Sequence, residues 1–183
     1  MLSFDYYRKC ARNGSFCLYH PGYNRLSSQI YKVPQSTKGI IAIMIGTNDF
    51  FFDSPLGSTE EALSTPITEL NDEHTFANAF RYNLVELRKR APEATIIVIQ
   101  PLPSNDINNA YDHYDESNLF VIRDIEREIC HSMNIPIVES QEVFGFDRDN
   151  GDWSFFFNDF CHPNNNGYMR IAECLYGVFL QYF

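Results

Sequence analysis

An α/β fold with a mostly parallel sheet is what this 183-residue sequence predicts, on three observations. Two short apolar runs, Ile40-Ile41-Ala42-Ile43-Met44-Ile45 and Thr95-Ile96-Ile97-Val98-Ile99, have the length and β-branched content of strands. Longer amphipathic stretches alternate with them, the pattern of strand–helix–strand units. Hydrophobic residues make up 44% of the chain and include sixteen Phe, which favours a packed core over disorder. At this length a single domain, residues 1–183, is expected to bury roughly two thirds of its unfolded surface.

Taken in order, Arg25 to Val33 reads as a short helix stopped by Pro34. The run from Ile40 ends at Gly46 and is apolar without interruption, as in parallel strands covered on both faces. From Asp72 to Arg90, the residues Phe76, Phe80, Leu84 and Leu87 share one helical face. Asp72 and Glu73 suit that helix's N-terminal end, and Arg88, Lys89 and Arg90 its C-terminal end. The second strand ends at Gln100-Pro101. Ser117 to Met133 repeats the helical pattern through Ile122, Ile125 and Ile129, with Ser117 as N-cap. Ile135 to Val138 is a third, shorter strand with Pro136 near its start. Gly167 to Phe183, carrying Ile171, Leu175, Val178 and Leu180, is a terminal helix that packs back on the sheet.

In such sheets ligands collect beyond the carboxyl ends of the strands. Gly46-Thr47-Asn48-Asp49 and Pro101-Leu102-Pro103 both stand there. The loops 50–71 and 102–116 lie on the same side; long, aromatic and acidic, they are suited to shape a pocket or lid.

Fourteen basic and twenty-four acidic residues give a net charge of −10, which repels nucleic-acid phosphates and anionic lipid heads. No apolar run reaches the roughly 18 residues of a membrane span. Met1-Leu2-Ser3-Phe4-Asp5 shows no basic start and no apolar core of a secretory signal, and the compartment stays undetermined. The five cysteines, Cys10, Cys17, Cys130, Cys161 and Cys174, lack C-x-x-C spacing and read as free thiols. The histidines show no H-x-x-x-H or H-E-x-x-H spacing, so neither a metal nor a cofactor is expected. Asn13-Gly14-Ser15 has the form of a glycosylation acceptor.

Chemistry concentrates in two segments, Gly46-Thr47-Asn48-Asp49 and Asp159-Phe160-Cys161-His162-Pro163-Asn164. A carboxylate three residues before an imidazole can fix its tautomer and stabilise the imidazolium, leaving the other ring nitrogen as a base. A side-chain amide at a strand's carboxyl end can face a developing oxyanion. Either segment alone also suits a plain turn or a loop ion pair.

Their order and context resemble the SGNH or GDSL hydrolases, whose third block reads G-x-N-D after a strand and whose fifth reads D-x-x-H-P before the terminal helix. The resemblance covers roughly Ile40 to the C-terminus, with 82–88 and 94–103 similar to the family's intervening helix and strand. It implies a three-layer α/β/α, flavodoxin-like domain and ester hydrolysis through a Ser-His-Asp acyl-enzyme. His162 would be the base, Asp159 its orienter, and Asn48 with the Gly14 N–H the oxyanion donors. The substrate would be a carbohydrate acetyl ester or another small acyl ester.

The family's first block, Gly-Asp-Ser at the end of its first strand, has no counterpart in this sequence. Loss of that strand would expose a neighbouring edge of the sheet. A sequence shortened at its N-terminus is the simpler expectation; natural loss leaving a non-catalytic ligand-binding or structural domain is the alternative. Ser15 is a poor substitute nucleophile, since its place belongs to the Gly14 block. Trp153 is a candidate for stacking on a sugar ring, and the Phe50–Phe52 and Phe155–Phe157 runs read as packing beneath loops.

Overall fold

A computed structural model describes Lys9 and residues 14–105, 116–140, 145 and 153–182. Its elements run β1 (Ser15–Phe16), β2 (Asn24–Arg25), α1 (Leu26–Ile30), β3 (Ile40–Met44), α2 (Thr47–Phe51), α3 (Thr59–Ser64), α4 (Phe76–Arg90), β4 (Thr95–Ile99), α5 (Glu116–Ser132), β5 (Ile137–Val138), α6 (Trp153–Phe156) and α7 (Asn165–Tyr182). β3, β4 and β5 form a parallel sheet in that order, with Ile40 opposite Thr95, Met44 opposite Ile99, and Val98 opposite Ile137. β1 and β2 form a separate parallel pair.

Strand alternation divides the apolar side chains between two layers. Ile43, Ile96 and Val98 face a core shared with Phe80 and Leu84 of α4 and with Ile122 and Ile129 of α5. Ile97, Ile99 and Val138 face a second cluster with Phe157 and Ile171, the latter from α7. The chain is therefore a helix–sheet–helix sandwich, as its alternating pattern implies.

One strand departs from expectation. β3 was expected to be covered on both faces, yet it lies at the edge of the described sheet, and Ala42 and Met44 are exposed. Among the described residues β4 is the one strand paired with β3.

The helix expected from Asp72 begins at Phe76, because the Thr75 hydroxyl accepts from Asn78 N–H and caps it. Asp72 acts instead as a tie: it accepts from Ser27 Oγ at 2.6 Å, and its carbonyl accepts from Tyr19 N–H at 2.6 Å. At the other end of α4, Arg90 donates to the carbonyls of Val33 and Tyr31, both at 2.8 Å, and Arg88 to that of Ala94. The two Arg90 bonds satisfy carbonyls that the end of α1 and its following turn leave free. α5 starts at Glu116, so Ser117 lies within its first turn and is not its cap. α7 starts two residues before Gly167, because Asn164 Oδ1 accepts from the N–H groups of Asn166 and Gly167. β5 is shorter than expected and begins after Pro136, whose carbonyl accepts from Val98 N–H.

The segment 50–71, expected as loop, contains α3. Ser58 accepts from Glu61 N–H at 3.1 Å, and Ser58-Thr59-Glu60-Glu61 is the S-x-x-E form of a helix start. Residues 106–115 of the second long loop, and Asn13 of the acceptor motif, lie outside the described residues. Among the described residues no helix is long and apolar enough to cross a membrane. The described thiols Cys17, Cys130, Cys161 and Cys174 are free.

Candidate active site

Gly46 turns the chain from β3 into α2 with φ of 102°, a conformation open to glycine at little cost. Space requires glycine as well, since a Cβ here would stand 2.8 Å from Pro101 Cγ. The turn delivers Asn48 and Asp49 to the carboxyl end of the sheet. Asn48 is half-buried, and its Nδ2 donates to the Ser15 carbonyl at 2.9 Å. Asp49 is fully buried and accepts from the N–H groups of Cys17 and Leu18, each at 2.9 Å. Together they fasten 15–18 to α2, immediately after Gly14, which occupies the left-handed region at φ 67°. Burial pushes the Asp49 carboxyl up to about 6 against the pull of those two donors.

The second segment closes on itself. Asp159 Oδ1 accepts from the N–H groups of Cys161 at 2.9 Å and His162 at 2.7 Å, an Asx turn. Its other oxygen, Oδ2, stands 2.8 Å from His162 Nδ1. Partial burial raises the Asp159 carboxyl, but the two backbone donors and the imidazole outweigh it and hold the group below its ordinary range. The His162 side chain is 71% exposed, so its ring is open to solvent.

This loop is anchored from several sides. Asn158 N–H donates to the His162 carbonyl at 2.8 Å, and Phe157 bridges Pro163 across the turn. Trp153 Nε1 donates to the Asp159 carbonyl at 2.5 Å, while its ring stacks on Phe157 at 4.1 Å. The Phe160 carbonyl accepts from Asn105 N–H at 2.8 Å and Ser104 Oγ at 3.2 Å, which ties the loop to the chain leaving β4. Phe160 also meets Phe51 of α2 edge-on at 5.5 Å. That contact links the two candidate segments; Asp159 joins His162 directly, and Asn48 joins the residue after Gly14.

Three donor atoms, from Asp159, Cys161 and His162, lie within 4.8 Å of one another. Their chemistry is already committed: Nδ1 faces the carboxylate, and burial together with the Asp159 charge pushes the Cys161 thiol up to about 12. A thiol held in that state is neither a ready metal ligand nor a nucleophile. An open hollow at the start of α7, lined by Asn158, Pro163, Asn164, Asn165, Asn166 and Tyr168, sits beside the loop.

Sequence reading missed a buried polar group behind the site. Glu126 projects from α5 into the core, where burial and the Asp49 charge raise its carboxyl well above the ordinary range, partly opposed by Arg123. Gln100 Nε2 donates to the Arg123 carbonyl at 2.7 Å, and Arg123 Nε to that of Pro101 at 3.0 Å. The signal was present: Glu126 interrupts the apolar stripe of Ile122, Ile125 and Ile129.

The profile of the GDSL-like lipase/acylhydrolase family matches residues 7–170. The chain belongs to this family. GDSL-like proteins are ester hydrolases, and solved structures share the fold. One is a protein from Lactobacillus plantarum, 20% identical with a TM-score of 0.71, covering 93% of this chain and 78% of its own. Another, described as a possible lipase from Chitinophaga pinensis, is 17% identical with a TM-score of 0.62, covering 86% and 80%. A variant of an acetyl-xylooligosaccharide esterase from Geobacillus is 17% identical with a TM-score of 0.51, covering 81% and 61%. No curated protein sequence matches the chain. The GDSL-like assignment agrees with the two segments on which the resemblance rested.

Proposed function

We propose that this chain carries the base and its orienter for ester hydrolysis through an acyl-enzyme. The observation that carries this reading is the 2.8 Å contact between His162 Nδ1 and Asp159 Oδ2 inside the Asx turn. With Nδ1–H donating to the carboxylate, Nε2 is left as the base, and the ionised Asp159 stabilises the imidazolium formed when a proton is taken. Asn48 spends one amide hydrogen on the Ser15 carbonyl and keeps the second for an oxyanion. The Gly14 N–H is the other proposed donor.

The nucleophile is what the sequence does not supply. No Gly-Asp-Ser occurs, the Cys161 thiol is held protonated, and Ser15 belongs to the segment fastened by Asn48 and Asp49. Loss of one member of such a triad leaves only residual rates, so hydrolysis by this chain should fall orders of magnitude below that of a complete site. For substrate, a carbohydrate acetyl ester or other small acyl ester is proposed, supported by the fold shared with the acetyl-xylooligosaccharide esterase. Trp153 contributes less than its sequence position suggested, since one face of its ring is taken by Phe157.

Hydrolysis of p-nitrophenyl acetate by wild type, His162→Ala and Ser15→Ala tests the reading. Weak turnover that falls in His162→Ala and persists in Ser15→Ala is expected. Turnover unchanged by His162→Ala would remove the dyad from the mechanism, and loss in both variants would make Ser15 the nucleophile.

A further inference from the structure

We propose that the hollow at the start of α7 is the subsite that holds the sugar ring of an acetylated carbohydrate, next to the turn that carries His162. The proposal rests on the ester-hydrolase reading of the Asp159–His162 pair. The hollow has a volume of about 270 Å³ and is lined, among the described residues, by Asn158, Pro163, Asn164, Asn165, Asn166 and Tyr168. That is room for about nine waters, or for a single sugar ring, and falls just under the range of drug-sized sites. None of the six is charged, in a chain with fourteen basic and twenty-four acidic residues.

Hydrogen bonding sorts the lining into a frame and a set of free groups. Asn164 belongs wholly to the frame: Oδ1 accepts from the N–H groups of Asn166 and Gly167, and Nδ2 donates to the carbonyls of Ser154 at 2.9 Å and Phe155 at 3.1 Å. Asn158 Nδ2 donates to the Pro163 carbonyl at 3.2 Å, and Asn166 Nδ2 to that of Phe155 at 3.0 Å. Unpartnered among the described residues are the entire Asn165 amide, Oδ1 of Asn158 and of Asn166, and the Tyr168 hydroxyl. Capping α7 requires Asn164 alone, and Asn is a poor helix former, so helix formation does not account for Asn165 and Asn166 in the first turn.

The free groups select a ligand class. A carboxamide presents donors and acceptors together, as neighbouring sugar hydroxyls do. The Tyr168 ring, 58% exposed, offers a platform to the apolar C–H face of a sugar, with its hydroxyl at the wet edge. An anion is disfavoured, because the first-turn N–H groups of Asn166, Gly167 and Tyr168 are already bonded to Asn164 and the six lining residues include no lysine or arginine. A cation finds no carboxylate among them. Position joins the hollow to the catalytic turn: Asn158 N–H donates to the His162 carbonyl at 2.8 Å, and Pro163 follows His162 with about 3.8 Å between Cα atoms. An acetyl group on the seated ring thus lies about one residue's span from the chain that carries the imidazole.

Xylobiose carries no ester, so its binding is measured without turnover and separates this proposal from the reading it rests on. Nitrogen-15 NMR of the full chain titrated with xylobiose follows the side-chain amides of Asn158, Asn165 and Asn166. Saturable shifts at those amides in the millimolar range are expected, retained in His162→Ala. Asn165→Ala combined with Tyr168→Ala should bind about tenfold more weakly, as loss of one or two hydrogen bonds implies. Both replaced side chains are exposed, and circular dichroism confirms the fold of the variant. Absence of saturation through the millimolar range, shifts confined to residues away from the hollow, or unchanged affinity in the double variant overturns the subsite. Ester turnover indifferent to His162→Ala, with xylobiose still shifting the hollow's amides, supports the subsite and removes the dyad instead.

Discussion

Replacing Asp49 by Asn tests whether burial or hydrogen bonding dominates where 15–18 is fastened to α2. The carboxylate is fully buried and accepts two backbone N–H groups. Burial wins, moving the carboxyl from its ordinary 3.8 to about 6. Between those pH values the folded protein keeps a proton that the unfolded chain has released. The stability this contributes is therefore complete below the unfolded value and is lost as pH rises through 6, about 3 kcal/mol in all. Asn has no such dependence. Its amide keeps one acceptor and sets an NH₂ against the other backbone donor, at a cost of about 1–3 kcal/mol at any pH. Wild type should thus exceed Asp49→Asn by that margin near pH 4, and by about 3 kcal/mol less above pH 7, where the two converge or cross. Urea unfolding followed by circular dichroism at stepped pH measures the difference. A margin that stays constant, or widens as pH rises, would mean that the two N–H donors outweigh burial, and the reasoning would fail.

Two further substitutions probe how the D-x-x-H loop and α4 are held. In Gly167→Ala the new Cβ would stand 2.3 Å from the Phe156 carbonyl oxygen, so α7 must shift against α6. A loss of about 1–3 kcal/mol is expected, seen as a Tm several degrees lower; an unchanged Tm would show that the contact yields freely. Thr75→Ala removes the α4 cap and should cost about 1 kcal/mol in denaturant unfolding, with Thr75→Ser close to wild type.

The positions of β3 and β4 and the meeting of Asp159 with His162 were legible because each is written locally. Ile40 to Met44 and Thr95 to Ile99 are apolar runs of strand length, and Asp159 and His162 meet within one turn of chain. What sequence could not show was placement at a distance. The apolar run of β3 reads as a strand covered on both faces, yet coverage depends on a neighbour that the run itself does not encode. Asp72 looked like a helix-start carboxylate and became a tertiary tie to Ser27, 45 residues away. Asp49 braces 15–18 through the amides of Cys17 and Leu18, partners that carry no side-chain signal. Ser58 and Thr75 are local signals as well: Ser58 starts a helix in a segment that reads as loop, and Thr75 moves the start of α4 from Asp72 to Phe76.

The tautomer of His162 tests the central claim most directly. Nitrogen-15 NMR distinguishes the protonated from the unprotonated ring nitrogen in the neutral imidazole and does not depend on turnover. In wild type the proton should sit on Nδ1, facing Asp159 Oδ2 at 2.8 Å, with Nε2 carrying the free lone pair; Asp159→Ala should shift the population toward the Nε2-protonated form. A ring protonated on Nε2 in wild type, or a tautomer balance indifferent to Asp159, would contradict the assignment of His162 as an oriented base.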